Sequence, residues 1–278
     1  MHKGRQIVHR SLETTEETLE LMKKFGMLIM VMVLGVFMAV AQDSSKSAND
    51  QQHKNAAAND QSAAEQAKSE GQKDLARLDQ AGAIVHQLMG APDSGIPQDV
   101  LASAKCVAVV PTMIKGGFIF GAEYGRGVAT CRVDGGWSAP AFFKATGGSW
   151  GAQIGVEGTD LVMLIMNDNG MNQLLDSKFK IGAGVSAAAG PVGREASAST
   201  NWKMKSEVLT YSRSRGAFIG AMLNGVVVNE DDDAMANYYG RRVGFRPVLT
   251  GQVQDSHPND RFVAAVRNAH TEATAQKQ

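Results

Sequence analysis

The chain has 278 residues, of which 44% are hydrophobic and 20% are charged, so it can form one large core or two small ones. Its 28 basic residues balance its 28 acidic residues, which excludes a strong overall field for nucleic acid. Any partner recognised through charge must therefore meet a local patch. The 30 glycines follow no collagen-like period and indicate turns and close backbone packing instead.

An export signal is predicted at residues 22–41. Two lysines open it, an almost wholly apolar stretch follows, and the small residues Ala39 and Ala41 lie where a signal peptidase requires them. The apolar stretch is shorter than the roughly 20 residues of a membrane-spanning helix, which favours cleavage over a retained anchor. Residues 1–21 are polar and charged, and we interpret them as an extension ahead of a true start at Met22. The predicted location is periplasmic or secreted, with peripheral contact to a membrane as an option.

The next segment, residues 42–71, is polar and of low complexity, which predicts a flexible tether with at most transient helix. From residue 72 the apolar spacing becomes helical and predicts an amphipathic helix over Asp74–Met89. A folded domain is therefore predicted over residues 72–278. Further helices are predicted at Pro97–Ala104, Met171–Leu175, Asp231–Tyr239 and about Asn259–His270.

The centre of the chain is predicted to form short strands separated by Gly-rich turns, with Pro111 ending the first strand. The predicted strands are Cys106–Val110, Gly117–Tyr124, Gly127–Val133, Ser149–Glu157, Asp160–Met166, Phe179–Ala189, Ala196–Lys205, Glu207–Ser212 and Ala217–Val228. This pattern predicts an antiparallel, Gly-rich β-sandwich or a barrel-like sheet. Because helices are predicted at both ends of the chain, the fold class is α+β.

Nine short motifs occur in the order in which the SYLF domain carries them, so the stretch from about Leu75 to Gly240 resembles that family. The motifs are Ile96-Pro97 through Leu101 to Ala104-Lys105, Lys115–Phe118, Gly125–Gly127, Gly136–Pro140, Gly147–Ser149 with Gly151–Gly155, Asp160–Val162, Gly190–Arg194, Tyr211–Gly216 and Tyr238–Gly240. The resemblance implies a lipid-binding domain. Eukaryotic members of the family bind phosphoinositides or acidic membranes, fungal members also bind actin filaments, and bacterial members are mostly exported.

Eight basic residues are the candidate lipid-binding side chains: Lys115, Lys178, Lys180, Arg194, Lys203, Lys205, Arg213 and Arg215. Each basic side chain near an anionic membrane contributes about 1 kcal/mol, so several must share one face. The alternative is that these charges are scattered over a solvated surface. The predicted helix Asp74–Met89 could lie in a membrane interface, although packing against the sheet is the commoner fate of an amphipathic helix.

Cys106 and Cys131 are the only cysteines. An oxidising compartment would allow a disulfide between them, and the alternative is two small buried apolar side chains. We predict that their strands flank one hairpin strand, a spacing that permits a bridge.

No catalytic residue, metal site or cofactor is predicted. The six histidines do not occur at metal-ligand spacing, and the Gly-rich segments lack both common nucleotide-binding motifs. The leading hypothesis is a non-enzymatic domain of an exported bacterial protein that binds acidic phospholipid, with no nucleic-acid partner. The rival hypothesis is a protein-interaction or envelope scaffold module, resembling the actin-binding members of the family.

Overall fold

The structure is a computed structural model, and it describes residues 47–90, 95–117, 120–150, 155–176, 178–182, 185–193, 206–214, 217–221, 223, 225–255, 257 and 260–275. The predicted export signal lies outside these residues. Contacts divide the chain into two units, residues 1–63 and 64–278. The described part of the first unit, residues 47–63, is helical. Among the described helices, none is long and apolar enough to cross a membrane.

Within the described ranges the helices are α1 (Ser47–Met89), α2 (Gln98–Ser103), α3 (Asp168–Leu175), α4 (Asp232–Tyr239), α5 (Phe245–Leu249) and α6 (Arg261–Ala275). The strands are β1 (Cys106–Gly117), β2 (Phe120–Val133), β3 (Gly136–Trp137), β4 (Ala141–Trp150), β5 (Gly155–Ile165), β6 (Lys178–Lys180), β7 (Ala187–Ala189), β8 (Val208–Ser214), β9 (Ala217–Gly220) and β10 (Val227–Glu230).

These strands form one curled sheet in the order β6-β10-β4-β2-β1-β5-β8-β7, with β3 paired to β2 and β9 paired to β8. Every pair is antiparallel except β7 with β8. The predicted α+β class is confirmed, as is the placement of helices at both ends of the strand region. Of the two sheet arrangements predicted, the barrel-like one describes the structure.

Helix α1 packs on one face of the sheet. Its residues from Leu78 to Leu88 bury an apolar stripe, and its Arg77 guanidinium lies 5.8 Å from the centre of the Phe142 ring. Gly82 allows α1 to approach the start of α6 closely, because a Cβ there would lie 2.7 Å from the Arg261 carbonyl oxygen. The apolar face of the predicted amphipathic helix is therefore buried inside the domain.

The segment predicted to be a flexible tether is helical from Ser47 onward in the structure. Residues 47–71 belong to α1, so the helix begins well before Asp74, although it ends at Met89 as the sequence predicts. The alanine and glutamine residues of this segment are good helix formers, which explains why helical backbone extends through it. The limits of the tether and of the domain stay a prediction.

Strand β1 does not end at Pro111, contrary to the prediction. Its pairing with β5 shifts register between Val110 and Met113, which is a β-bulge, and the strand then continues to Gly117. Within the bulge Thr112 has a φ of 59°, a conformation that is unusual for a β-branched residue. A bulge tolerates a proline inside a strand because the ladder bond that proline cannot donate is already interrupted.

Strand β2 is continuous where a turn at Gly125-Arg126-Gly127 is predicted, so that prediction is wrong. The two glycines serve packing instead. A Cβ on Gly125 would lie 2.4 Å from Val110 Cγ1, and a Cβ on Gly127 would lie 2.4 Å from Phe143 Cζ. Because β1 and β2 are neighbours, the cysteine-bearing strands are adjacent and do not flank a third strand.

Several other predicted boundaries change. The predicted strand Ser149–Glu157 corresponds to the end of β4 and the start of β5, and most of β4 was not predicted at all. Asn167 is the N-cap of α3, and its side chain accepts a hydrogen bond from the Gly170 N–H. The predicted strand Phe179–Ala189 overlaps the end of β6 and contains β7, and it is therefore not one continuous strand. The predicted strand at residues 196–205 lies outside the described residues.

Cys106 and Cys131 lie directly opposite each other on β1 and β2. In the structure a disulfide joins them, and both side chains are fully buried. Of the two alternatives that the sequence left open, the structure contains the bridge. It ties the central strand pair together at the end that faces α2 and α6.

Asp260 caps α6 and gives a prediction for the pH dependence of stability. Its carboxylate accepts hydrogen bonds from the Phe262 N–H at 2.9 Å and the Val263 N–H at 3.3 Å. Burial nevertheless raises the pKa of Asp260 to about 6, and the nearby carboxylates of Asp255 and Asp79 act in the same direction. The folded state therefore holds this proton at pH values where the unfolded chain has released it.

Because the folded pKa is above the unfolded one, Asp260 costs stability as the pH rises from about 4 to 7. The largest loss of stability that this shift can cause is ~3 kcal/mol, since one pKa unit corresponds to about 1.4 kcal/mol. We expect Asp260→Asn not to lose this stability. Its free energy of unfolding, relative to that of the parent, should therefore increase by roughly 1–3 kcal/mol between pH 4 and pH 7. Urea unfolding at both pH values measures this, with Asp134→Asn at an exposed turn as control. Parallel pH profiles for parent and Asp260→Asn would contradict the prediction.

Candidate functional site

Part of the sheet face that carries α1 is left uncovered by the helix. Across this part, Ile114 lies opposite Tyr124, Tyr124 opposite Thr146, and the row continues through Val227 to Lys180. Residues directly opposite each other on paired strands point to the same side of a sheet. Lys178 is two residues from Lys180 and points the same way. We call these residues the open face: Ile114, Tyr124, Thr146, Lys178, Lys180 and Val227.

The open face combines exposed apolar side chains with lysines. Ile114 is 46% exposed and Tyr124 is 47% exposed, both unusually high for large side chains in the middle of a sheet. Lys178 and Lys180 are exposed on the edge strand β6, while Phe179 between them is buried. Among the described residues, neither lysine forms an ion pair within 4 Å. An apolar centre with a basic border is a surface suited to an acidic, partly apolar partner.

Two of the predicted lipid-binding residues do not join this surface. Lys115 points to the opposite side of β1 from Ile114, and its ammonium lies 3.3 Å from the Glu123 carboxylate. Arg213 lies in the same sheet but is paired with Asp160. Four others, Arg194, Lys203, Lys205 and Arg215, lie outside the described residues. Of the four predicted residues that the structure describes, Lys178 and Lys180 lie together on the open face.

A buried ion cluster separates the open face from α1. Asp231 is fully buried and binds two cations: its carboxylate accepts from Arg126 Nε at 2.7 Å and lies 3.0 Å from Lys144 Nζ. On α1, Asp74 accepts from Arg77 Nη1 at 2.9 Å and lies 3.8 Å from Arg126 Nη2. These five side chains, which we call the ion cluster, link α1, β2, β4 and the start of α4.

The ion cluster holds three cations against two carboxylates, and the carboxylates of Glu70 and Asp233 also approach its cations. Burial alone would raise the pKa of Asp231, but hydrogen bonds from Arg126 and Lys144 hold it below its usual value. Burial raises the pKa of Asp74, and burial also lowers the pKa of Arg77. The cluster therefore links α1 to strands β2 and β4 of the sheet.

The β1 bulge forms a second polar feature on the same sheet face. Asp160 on β5 accepts a hydrogen bond from the Thr112 N–H at 3.0 Å and thereby holds this residue in its strained conformation. Arg213 on β8 donates to Asp160 through Nε at 2.8 Å and also through Nη2. The Arg213 guanidinium lies 5.4 Å from the centre of the Phe218 ring, which supports it from the side.

A cavity of about 230 Å³ opens between this bulge and α1. We call it the bulge groove. It is lined by Gln80, Ala83, Ile84 and Gln87 of α1 and by Pro111, Thr112, Asp160 and Arg213 of the sheet. The four helix residues follow the spacing i, i+3, i+4 and i+7, which places them on one face of α1.

The ion cluster and the bulge groove were both missed from the sequence. Asp231 was recognised only as a helix-start acid, and its partner Arg126 is 105 residues away in the chain. Asp160 and Thr112 could not be recognised as site residues from the sequence, because a bulge inside a strand has no reliable sequence signature. Among the described residues there is no group of three or more His, Cys, Asp or Glu side chains that could hold a metal ion.

Comparison with known proteins supports the family resemblance over part of the chain. Residues 146–269 match a family model described as "Ysc84: Las17-binding protein actin regulator". LAS seventeen-binding protein 3 of Saccharomyces cerevisiae is 35% identical over 173 residues, which are 61% of this chain and 37% of that protein. SH3 domain-containing YSC84-like protein 1 of Homo sapiens is 32% identical over 162 residues, which are 58% of this chain and 47% of that protein.

The chain therefore spans less than half the length of these two relatives. The yeast protein YSC84 is similar to it in the same way, with 36% identity over 173 residues and 36% of its own length covered. The similarity supports the resemblance that the motifs predict. The exported bacterial type stays a prediction.

Proposed function

We propose that this protein is a non-enzymatic binding module that attaches to acidic lipid surfaces through the open face. The observation that carries the proposal is the exposure of Tyr124 and Ile114 beside two lysines that have no ion-pair partner among the described residues. An aromatic ring and an aliphatic side chain can enter the interface of a bilayer while lysines contact phosphate groups. The proposed export of the chain would place this surface next to bacterial envelope lipids.

The expected strength of this contact is modest. Two lysines contribute about 2 kcal/mol near an anionic membrane, which corresponds to roughly 30-fold in affinity. The two apolar side chains add only part of their burial energy, because each is already about half covered. The protein is therefore expected to bind reversibly and to respond to salt, since charge contacts at an exposed surface are screened.

Vesicle co-sedimentation tests the proposal. The protein without residues 1–41 is mixed with vesicles of phosphatidylcholine alone or with phosphatidylglycerol added. We expect binding to the anionic vesicles only, and the double variant Lys178→Gln/Lys180→Gln to weaken it ~10–30-fold. Equal binding to both vesicle types, or to neither, would refute the proposal.

The charge-matched control is Lys105→Gln/Lys115→Gln. Lys105 lies 2.8 Å from Asp168 and Lys115 lies 3.3 Å from Glu123, so both cations are already neutralised by carboxylates. This control removes the same net charge as the test variant but leaves the open face intact. A loss of binding as large as that of the test variant would show that only overall charge matters.

A second candidate function is binding to a protein. It is favoured by the matched family, whose description names an actin regulator, and by a yeast relative named as a LAS seventeen-binding protein. Exposed tyrosines are common at the centres of protein interfaces, so Tyr124 would be the anchor here as well. Co-sedimentation with actin filaments in the absence of lipid, abolished by Tyr124→Ala, would support this alternative.

A further inference from the structure

The bulge groove is a separate site whose size limits what it can hold. Its volume of about 230 Å³ lies below the range of roughly 300–1,000 Å³ that is usual for pockets of drug-sized ligands. This space has room for one ring or one side-chain-sized group. The groove also lies on the other side of β1 from Tyr124 in the sheet order, so it is distinct from the open face.

The charges of the groove exclude a simple anion site. Its two ionised side chains, Arg213 and Asp160, carry opposite charges and are hydrogen bonded to each other. An oxyanion in the groove would be attracted by the first and repelled by the second with similar energy at similar distance. The formal charges of the lining sum to zero, so the groove offers little net electrostatic attraction to phosphate or carboxylate.

The remaining lining is rich in neutral groups that both donate and accept hydrogen bonds. Gln80 and Gln87, two helical turns apart, each carry an amide with donor and acceptor atoms, and Thr112 adds a hydroxyl. Ala83, Ile84 and Pro111 provide apolar surface between these polar groups. A ring that has hydroxyl groups at its edge and C–H groups on its faces matches both parts of this lining.

The floor of the groove is held in place before any ligand arrives. Thr112 is strained, and its N–H is bound by Asp160, which is itself held by Arg213. Such strain persists only where the surrounding structure enforces it, and it is common at binding sites. A rigid floor lowers the entropy cost of binding a small ligand.

We infer that the bulge groove binds a neutral cyclic polyol, such as the ring of a sugar, with the Gln80 and Gln87 amides as the main hydrogen-bonding groups. The ring can come from a free monosaccharide or from the end of a glycan. This site is independent of the lipid surface proposed above. Its loss leaves vesicle binding unchanged, so the two proposals can fail separately.

Saturation-transfer NMR of the protein without residues 1–41 tests the inference. The probes are glucose, N-acetylglucosamine and the β-1,4-linked tetramer of N-acetylglucosamine, and phosphorus NMR follows inorganic phosphate. We expect saturation of the ring protons of at least one sugar and no line broadening of phosphate. A response to the monosaccharides identifies a free sugar as ligand, and a response to the tetramer alone identifies a glycan end.

Two variants on one helix face make the test specific. Gln80→Leu/Gln87→Leu is expected to reduce the saturation signal at least five-fold, because it removes both amides while leaving exposed helical positions filled. Gln72→Leu, an exposed position of α1 outside the groove, is expected to retain the signal. Equal thermal melting of all three proteins establishes that they fold. Absence of any sugar response, phosphate binding in its place, or an unchanged signal in the double variant would each overturn the inference.

Discussion

Replacing Asp231 by alanine is expected to lower the free energy of unfolding by about 2–4 kcal/mol, because it removes a fully buried carboxylate that two partly buried cations and a helix N–H share. The carboxylate accepts from Arg126 and contacts Lys144 while it is completely shielded from water. It also accepts from the Ala234 N–H and so caps α4. One substitution therefore removes a helix cap and the anion that joins β2 to β4. Urea unfolding at neutral pH measures the loss.

The control for this prediction lies two residues further along the chain. Asp233 is 86% exposed and lies 3.8 Å from Lys144, so Asp233→Ala should change stability by less than about 0.5 kcal/mol. Asp231→Asn should fall between the two, since it keeps an acceptor for the cap but loses the charge. Similar losses for Asp231→Ala and Asp233→Ala would mean that burial of the cluster contributes nothing.

The second large effect is expected at Gly190. A Cβ there would lie 2.0 Å from Tyr211 Cζ and within 2.5 Å of two other ring atoms, and Tyr211 is fully buried. The buried ring or the backbone would have to shift, so Gly190→Ala should cost about 3 kcal/mol or more. Gly148→Ala is the matched control, because its nearest neighbour would be a carbonyl oxygen at 3.9 Å.

A double-mutant cycle separates steric clash from other causes. Tyr211→Ala alone is expected to cost roughly 3–5 kcal/mol through the cavity that it leaves. In that background the ring is absent, so adding Gly190→Ala should cost less than about 1 kcal/mol. Additive losses in the double variant would show that Gly190 is required for its backbone and not for the space that it leaves to Tyr211.

Local chemistry was sufficient to predict the parts of the fold that depend on neighbouring residues. The predicted strand Asp160–Met166 corresponds to the buried second half of β5. The acids at Asp231–Asp233 begin a helix, with Asp231 as its cap. In each case the decisive interactions lie within a few residues of one another.

The failures share a long-range cause. Strand β4 has no alternation in its sequence because both Phe142 and Phe143 are buried, one on each side of the sheet. Pro111 was expected to end β1, but Asp160, distant in the chain, accepts the hydrogen bond that stabilises the bulge. The ion cluster likewise depends on which strands become neighbours, a fact that no local pattern contains.

Strand β6 has a further consequence for the solubility of the protein. Among the described strands it forms one end of the sheet order, is only three residues long, and carries two exposed lysines. Short, charged edge strands resist pairing with the edge of another molecule, which is the first step of β-type aggregation. The same lysines that the binding proposal uses thus also keep copies of the chain apart. Removing them should therefore promote self-association at high concentration, detectable as increased light scattering.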